Sequence, residues 1–209
     1  MPDINKAVFY IMNQVKIFEC SLLFALCAAL LTGLWAQGRQ RQLSSELVRL
    51  HVVANSDDET DQAAKLQVRD AVLAALSPKL ASISDPAEAE TVIQEELPRL
   101  QRAARESLER SGKFYPATAE LRYERFPTRY YTGFSLPAGN YVSLRVTLGE
   151  GQGHNWWCVV FPPLCTVAAE DESAFSSLPE EDAHLIRCDE GYAVRFHLVE
   201  WYGKLRAKF

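Results

Sequence analysis

Tyr141-Val142-Ser143-Leu144-Arg145-Val146-Thr147-Leu148 alternates without a break, with Val142, Leu144, Val146 and Leu148 facing one way and Tyr141, Ser143, Arg145 and Thr147 the other. A period of two marks a strand with one face buried. Past Gly149-Glu150-Gly151-Gln152-Gly153 comes a second apolar run, Asn155-Trp156-Trp157-Cys158-Val159-Val160-Phe161, and the two read as an antiparallel hairpin across a glycine-rich connection. Working upstream, Ala119, Leu121 and Tyr123 alternate with Glu120, Arg122 and Glu124, and the branched run over residues 47–54 reads as a further strand.

Helices lie between these strands. Asn55-Ser56-Asp57-Asp58 breaks the 47–54 run, and Ser56 with Glu59 three residues on has the form of a capping box. In the helix that follows, Val68, Val72, Ala75 and Leu76 recur at helical spacing, and Leu66, Leu73 and Leu80 widen the apolar arc. A second helix starts at Asp85 as N-cap, with Pro86 at its first position and Glu88 behind, and runs to a stop at Gly112. Pro98, inside it, is expected to kink or split it, because proline removes a backbone donor and clashes with the preceding turn. Nearer the end, Asp189-Glu190-Gly191 separates residues 185–188 from 192–198 as a further hairpin signal. Trp201, Leu205 and Phe209 recur at helical spacing, interleaved with Lys204, Arg206 and Lys208; a short docking helix is favoured over one lying on an anionic membrane. The sum is an α+β domain, an antiparallel or mixed sheet packed against two or three helices.

At the other end, Lys6 and Lys16 precede an apolar stretch over residues 20–36 that only Ser21, Thr32 and Gly33 interrupt. A charged region followed by an apolar core is the signature of export. Its length falls between a secretory core and a full membrane span, so a cleaved signal and a retained anchor both fit. Leu34 and Trp35 are bulky before Ala36, a poor cleavage site, and Leu26 before Cys27 argues against lipidation. Residues 1–36 are therefore a signal peptide or signal anchor, residues 37–45 a polar linker, and residues 46–209 a single domain. If uncleaved, residues 17–36 would contact the membrane. The leader carries Asp3, Lys6, Lys16 and Glu19, two charges of each sign, so the remainder keeps the formal net charge of -5. A chain of that sign is poorly suited to nucleic acid, which is gripped by clustered Lys and Arg.

The chemistry-bearing residues are sparse. Glycines at 149, 151 and 153 superficially suggest a phosphate cradle, but a strand follows them where a helix N-terminus would be needed, and a flexible hairpin loop is the plainer reading. Trp156 and Trp157 are adjacent on a strand and project to opposite faces, so either a second layer covers one of them or it stays partly open beside Phe161-Pro162-Pro163. Asn155, Trp156, Trp157, Phe161, Pro162 and Pro163 are accordingly the candidate partner-binding residues. Cys158 and Cys165 form the closest cysteine pair outside the leader, a candidate disulfide in an exported chain, with reduced buried cysteines as the alternative. Cys158, Cys165 or Cys188 with His51, His154, His184 or His197 is the only nucleophile and base combination to weigh. His154-x3-Cys158 and His184-x3-Cys188 have zinc-ligand types at helical spacing, but they fall in expected strands and loops, so no metal or cofactor is assigned.

Leu50-His51-Val52-Val53-Ala54-Asn55-Ser56-Asp57 and the run from Asp61 to Val72 beginning Asp61-Gln62-Ala63-Ala64-Lys65-Leu66 carry a resemblance, as do Phe126-Pro127-Thr128 and Pro137-Ala138-Gly139-Asn140-Tyr141. With Gly149-Glu150-Gly151-Gln152-Gly153-His154-Asn155-Trp156-Trp157-Cys158 and Phe161-Pro162-Pro163-Leu164-Cys165, the chain resembles the stage II sporulation protein R family over residues 47–165. The resemblance implies a messenger made in the forespore and exported into the septal intermembrane space, or anchored facing it. There it would trigger a membrane-embedded aspartic protease of the mother cell that cleaves the sigma-E precursor. It implies no catalytic residues. The alternative from another class is an extracytoplasmic thiol-dependent enzyme using Cys158 or Cys165.

Overall fold

A computed structural model describes residues 4–131 and 134–164, with side chains from residue 15 onward. It divides into two compact units, Met1–Arg41 and Gln42–Phe209. Helix α1, Ile4–Ser45, contains one stretch, Val15–Ser45, long and apolar enough to cross a membrane, with a mean hydropathy of 2.1. Leu22, Phe24, Leu31 and Trp35 all stand exposed on it. Side chains this apolar on every side of a helix suit a lipid surround, as an anchor or signal requires. Residues 37–45, read from the sequence as a linker, continue the same helix. Gln and Arg are good helix formers, and no proline interrupts them.

In the second unit the elements run β1 Val48–Val53, α2 Glu59–Leu80, α3 Pro86–Arg110, β2 Ala117–Phe126, β3 Arg129–Tyr131, β4 Phe134–Leu136, β5 Gly139–Leu148 and β6 Asn155–Phe161. One mixed sheet has the order β2-β5-β1-β6, and β3 with β4 makes a separate two-stranded hairpin. The α+β architecture with a mixed sheet and helices is the one expected. The pairing is not. β6 does not pair with β5: β1 lies between them, parallel to β5 (Leu50 opposite Leu144) and antiparallel to β6 (Leu50 opposite Cys158). All six residues of β1 are buried, and a strand with both faces covered and both edges paired belongs at the centre of a sheet.

The two faces of the sheet carry different layers. Val48, Leu50, Val52, Leu144, Val146, Leu148 and Val160 pack against Val68, Val72 and Leu76 of α2 and Ile93, Leu100, Ala104 and Leu108 of α3. On the opposite face a smaller cluster gathers Leu43, Leu47, Phe126, Tyr141 and Val159 under Phe134 and Leu136 of the short hairpin. Each fully buried Leu, Val or Phe is worth about 1.5–3 kcal/mol relative to exposure, so the helical layer supplies most of the apolar stabilisation.

One local expectation is corrected, and another loses one of its two alternatives. The cap of α2 is Asp58, whose carboxylate accepts from Thr60 N at 3.2 Å. Ser56 is drawn away from that role because its Oγ donates to Asp61 Oδ2 at 2.7 Å. Pro98 does not split α3, which is held by buried side chains on either side of it, Ile93 and Leu100. Tertiary packing thus offsets the lost hydrogen bond. Asp85 does cap α3, and the helix closes where Gly112 N donates to Glu109 O and Lys113 N to Leu108 O, both bonds of a Schellman ending. The expected strands and tail helix beyond residue 164 lie outside the described residues.

Candidate functional site

The side chains of β1 that face away from the helices are Arg49, His51 and Val53, so the strand's alternation places a guanidinium and an imidazole inside the second layer. His51 Nδ1 lies 3.0 Å from Glu124 Oε1 and Nε2 lies 2.9 Å from Asn155 Oδ1. Arg145 NH1 donates to the other Glu124 oxygen at 3.0 Å. A polar chain Arg145–Glu124–His51–Asn155 therefore takes one residue from each strand of the sheet. Trp157 stacks on His51 with ring centroids 3.8 Å apart and meets Phe126 edge-on at 4.7 Å. Burial works to raise the Glu124 carboxyl, but the His51 hydrogen bond and the Arg145 charge outweigh it and hold the pKa below its ordinary value. With both ring nitrogens occupied and the side chain buried, His51 is placed as a structural link rather than as an open base.

Arg49 is more unusual. It is fully buried with no carboxylate partner among the described residues: NH2 donates to Tyr131 Oη at 2.5 Å, Nε to the Cys158 carbonyl at 3.4 Å, and NH1 has no acceptor. The guanidinium sits 4.2 Å from the Phe126 ring centroid and 5.1 Å from that of Tyr141, so aromatic faces supply part of what a counter-ion would. Burial lowers the Arg49 pKa, and the like charge of Arg129 adds to the lowering. The Tyr141 hydroxyl, buried alongside, is pushed up to about 12 by that burial.

The end of β1 is fixed to the glycine-rich loop. Gln152 N donates to Asn55 O and Gly153 N to Ala54 O, at 3.1 and 2.9 Å. Gly149 has φ +56° and Asn55 Oδ1 occupies the space a Cβ would need, at 2.0 Å; at Gly153 the obstacle is the Ser56 carbonyl oxygen, at 2.1 Å. The flexible hairpin loop expected from sequence is instead an interlocked junction. Asp61 holds its other side, accepting from Asn55 Nδ2, Ser56 Oγ and Tyr115 Oη at 2.7, 2.7 and 3.1 Å and pairing with Lys113 at 2.5 Å. Lys113 first, then Asn55, hold its carboxyl far below the usual range against the opposing effect of burial. Lys65, nearly buried, donates to the His154 carbonyl at 3.0 Å. His154 in turn donates from its backbone N to Asp57 Oδ1 at 2.6 Å, and its Nδ1 lies 2.5 Å from the same oxygen.

These interactions shape an open depression of about 380 Å³ lined by Asp57, Arg129, Gln152, Gly153, His154, Asn155 and Trp157. Of the candidate contact residues, Asn155 and Trp157 line it, and Pro163 is exposed. Trp156 projects to the helical face, half-buried beneath Arg69 at 4.5 Å, so the opposite-face reading of the two indoles holds and neither is wholly enclosed. Phe161 and Pro162 are buried, Phe161 within the helical core, so they support the strand end and offer no contact surface. Cys158 is buried and disulfide-bonded, while Cys20 and Cys27 are free. Cys165 and Cys188, one of which must be its partner, lie outside the described residues. A bridged sulfur is neither a thiolate nucleophile nor a zinc ligand, which removes Cys158 from the thiol-enzyme reading and from the His154-x3-Cys158 pair. Arg49, Glu124 and Arg129 were missed in the sequence; an arginine and a histidine at alternate positions of an otherwise apolar strand were the available signal.

Fold and site together define a class: a mixed-sheet α+β domain behind an apolar N-terminal helix, presenting a polar depression on an aromatic floor. The chain matches the family model described as stage II sporulation protein R over residues 44–171. It is 31% identical over 215 aligned positions to stage II sporulation protein R of Bacillus subtilis (strain 168), covering 89% of this chain and 96% of that protein. The chain belongs to the stage II sporulation protein R family. No solved structure matches it.

Proposed function

We propose that this chain is an extracytoplasmic messenger of sporulation that activates a membrane-embedded aspartic protease of the mother cell, which then processes the sigma-E precursor. The observation that carries the reading is membership of the family, matched along nearly the full length of a curated stage II sporulation protein R. Support comes from α1, which fits a signal peptide or anchor, and from a domain that presents an open depression bordered by Asn155 and Trp157. The septal intermembrane space is the location this role requires. Asn155 and Trp157 at the depression, with Pro163, form the contact surface. Cys158 pairs with Cys165 in this reading, which non-reducing peptide mapping checks; a Cys158–Cys188 peptide would refute that pairing.

The test is co-expression of the full chain with the candidate protease and its precursor substrate in a non-sporulating host. Cleavage that depends on this chain is the expected result. Cleavage of equal extent without it, or none with it, removes the proposal.

A further inference from the structure

The groups around the depression do not balance. Its carboxylate, Asp57, is already engaged twice by His154. Its guanidinium, Arg129, forms no ion pair among the described residues, and its Nε is buried without an acceptor. The Arg129 guanidinium carbon lies 5.4 Å from the Trp157 ring centroid, against one wall. Behind it stands Arg49, close enough for the two like charges to act on each other, with its own NH1 buried and unpaired. An unsatisfied buried donor is destabilising, more so when charged, and these two donors, both beneath the surface, leave Arg129 and Arg49 short of acceptors.

We infer that this depression is a receptor for a carboxylate, an Asp or Glu side chain of the partner protein, held by the Arg129 guanidinium with its aliphatic stem against Trp157. Three features carry this. A planar guanidinium matches a carboxylate in a two-pronged hydrogen bond. The part of the Trp157 indole that borders the depression, beyond its stack on His51, supplies an apolar wall for the methylenes of an acidic side chain. Arg49 contributes positive potential from a position that water reaches poorly, where charges act more strongly than at the surface. Asp57 keeps its own charge, since its bonds to His154 hold its carboxyl below the ordinary range, and it opposes the incoming group against the pull of Arg129 and Arg49. The inference rests on the messenger reading and adds to it the chemistry of the partner's contact.

The experiment titrates the full chain in detergent micelles with N-acetyl-glutamate N-methylamide, following the Arg129 Nε–H and Trp157 indole N–H resonances. Glutamate is expected to move both and the glutamine counterpart neither, and Arg129→Gln is expected to abolish the Trp157 response. An equal response to glutamine, a response retained in Arg129→Gln, or movement by inorganic phosphate but not by glutamate overturns the assignment. Arg125→Gln, an exposed neighbour that removes the same charge, keeps the wild-type response. In the co-expression assay Arg129→Gln lowers precursor cleavage about tenfold, the loss of one charge-assisted contact, with thermal unfolding confirming that the variant is folded. Full cleavage by a folded Arg129→Gln sinks the carboxylate receptor and leaves the messenger role standing. Failure of the wild-type chain to drive cleavage sinks the messenger role, and the titration still decides the depression.

Discussion

Asp61 is almost fully buried at the first turn of α2, yet it is the acceptor for four side chains drawn from two separate connections of the chain. Replacing it with Asn keeps the size and removes the charge, so Lys113 loses its counter-ion and Asn55 and Ser56 lose a strong acceptor. The expected destabilisation is about 2–4 kcal/mol by urea unfolding, and a loss below ~0.5 kcal/mol would show the network to be incidental. Its pH dependence has a definite sign. The folded carboxyl titrates well below its unfolded value near ~4, so the stabilisation is complete above about pH 4 and drains away as the pH falls further. The Asn variant should show a flatter acid limb. Trp157 is the other decisive residue, because it closes the polar chain over His51 and also walls the depression. Trp157→Ala should lose about 2–3 kcal/mol, less than for an enclosed ring because the indole is half-buried, and Trp157→Phe under ~1 kcal/mol. The sequence made Trp157 conspicuous through its neighbour, whereas Arg49 was hidden within a run that read as apolar. A side chain's fate on the second face of a strand depends on whether another layer covers that face, which local pattern does not encode.

Among the elements, period located α2, α3, β2 and β5, because apolar spacing of 3.6 or 2 is dictated by which side must be dry, whereas β1 and β6 were legible only as branched or apolar runs and the short strands β3 and β4 left no signal. Pairing was a different matter. The glycine connection after β5 looked like a hairpin turn, but it crosses the end of β1, and only the long-range bonds to Ala54 and Asn55 reveal this. A local signal cannot report a strand inserted from a hundred residues upstream. The same connection predicts its own sensitivity. Gly153→Ala places a Cβ against the Ser56 carbonyl and must push β6 away from the α2 entry, costing about 1–3 kcal/mol. Because Asn155 and Trp157 follow directly, the variant should also weaken partner activation beyond what its stability explains. An unfolding midpoint equal to wild type would show that the junction can yield, contrary to the packing described.

For the molecule as a whole, the role proposed for the domain requires delivery, and α1 fits the signal peptide or membrane anchor that would provide it. Its apolar stretch carries no compensating polar face, so its insertion free energy is a sum of single-residue contributions. Leu26 and Leu30 sit inside it and contribute favourably; arginine at the centre of a span costs roughly 2.5–3.5 kcal/mol each. Leu26→Arg with Leu30→Arg therefore shifts insertion by about 5–8 kcal/mol, enough to reverse it. The paired variant should leave the domain inside the cell, shielded from protease added to spheroplasts, with Cys158 reduced because the disulfide would form only after export. Messenger activity should vanish while the isolated variant, once its disulfide has been re-formed by oxidation, unfolds at the wild-type denaturant concentration, since the substitutions lie outside the unit that contains the sheet. A doubly substituted chain still cleaved by external protease would mean that α1 is not the export element, and the route by which the depression meets its partner would have to begin elsewhere in the chain.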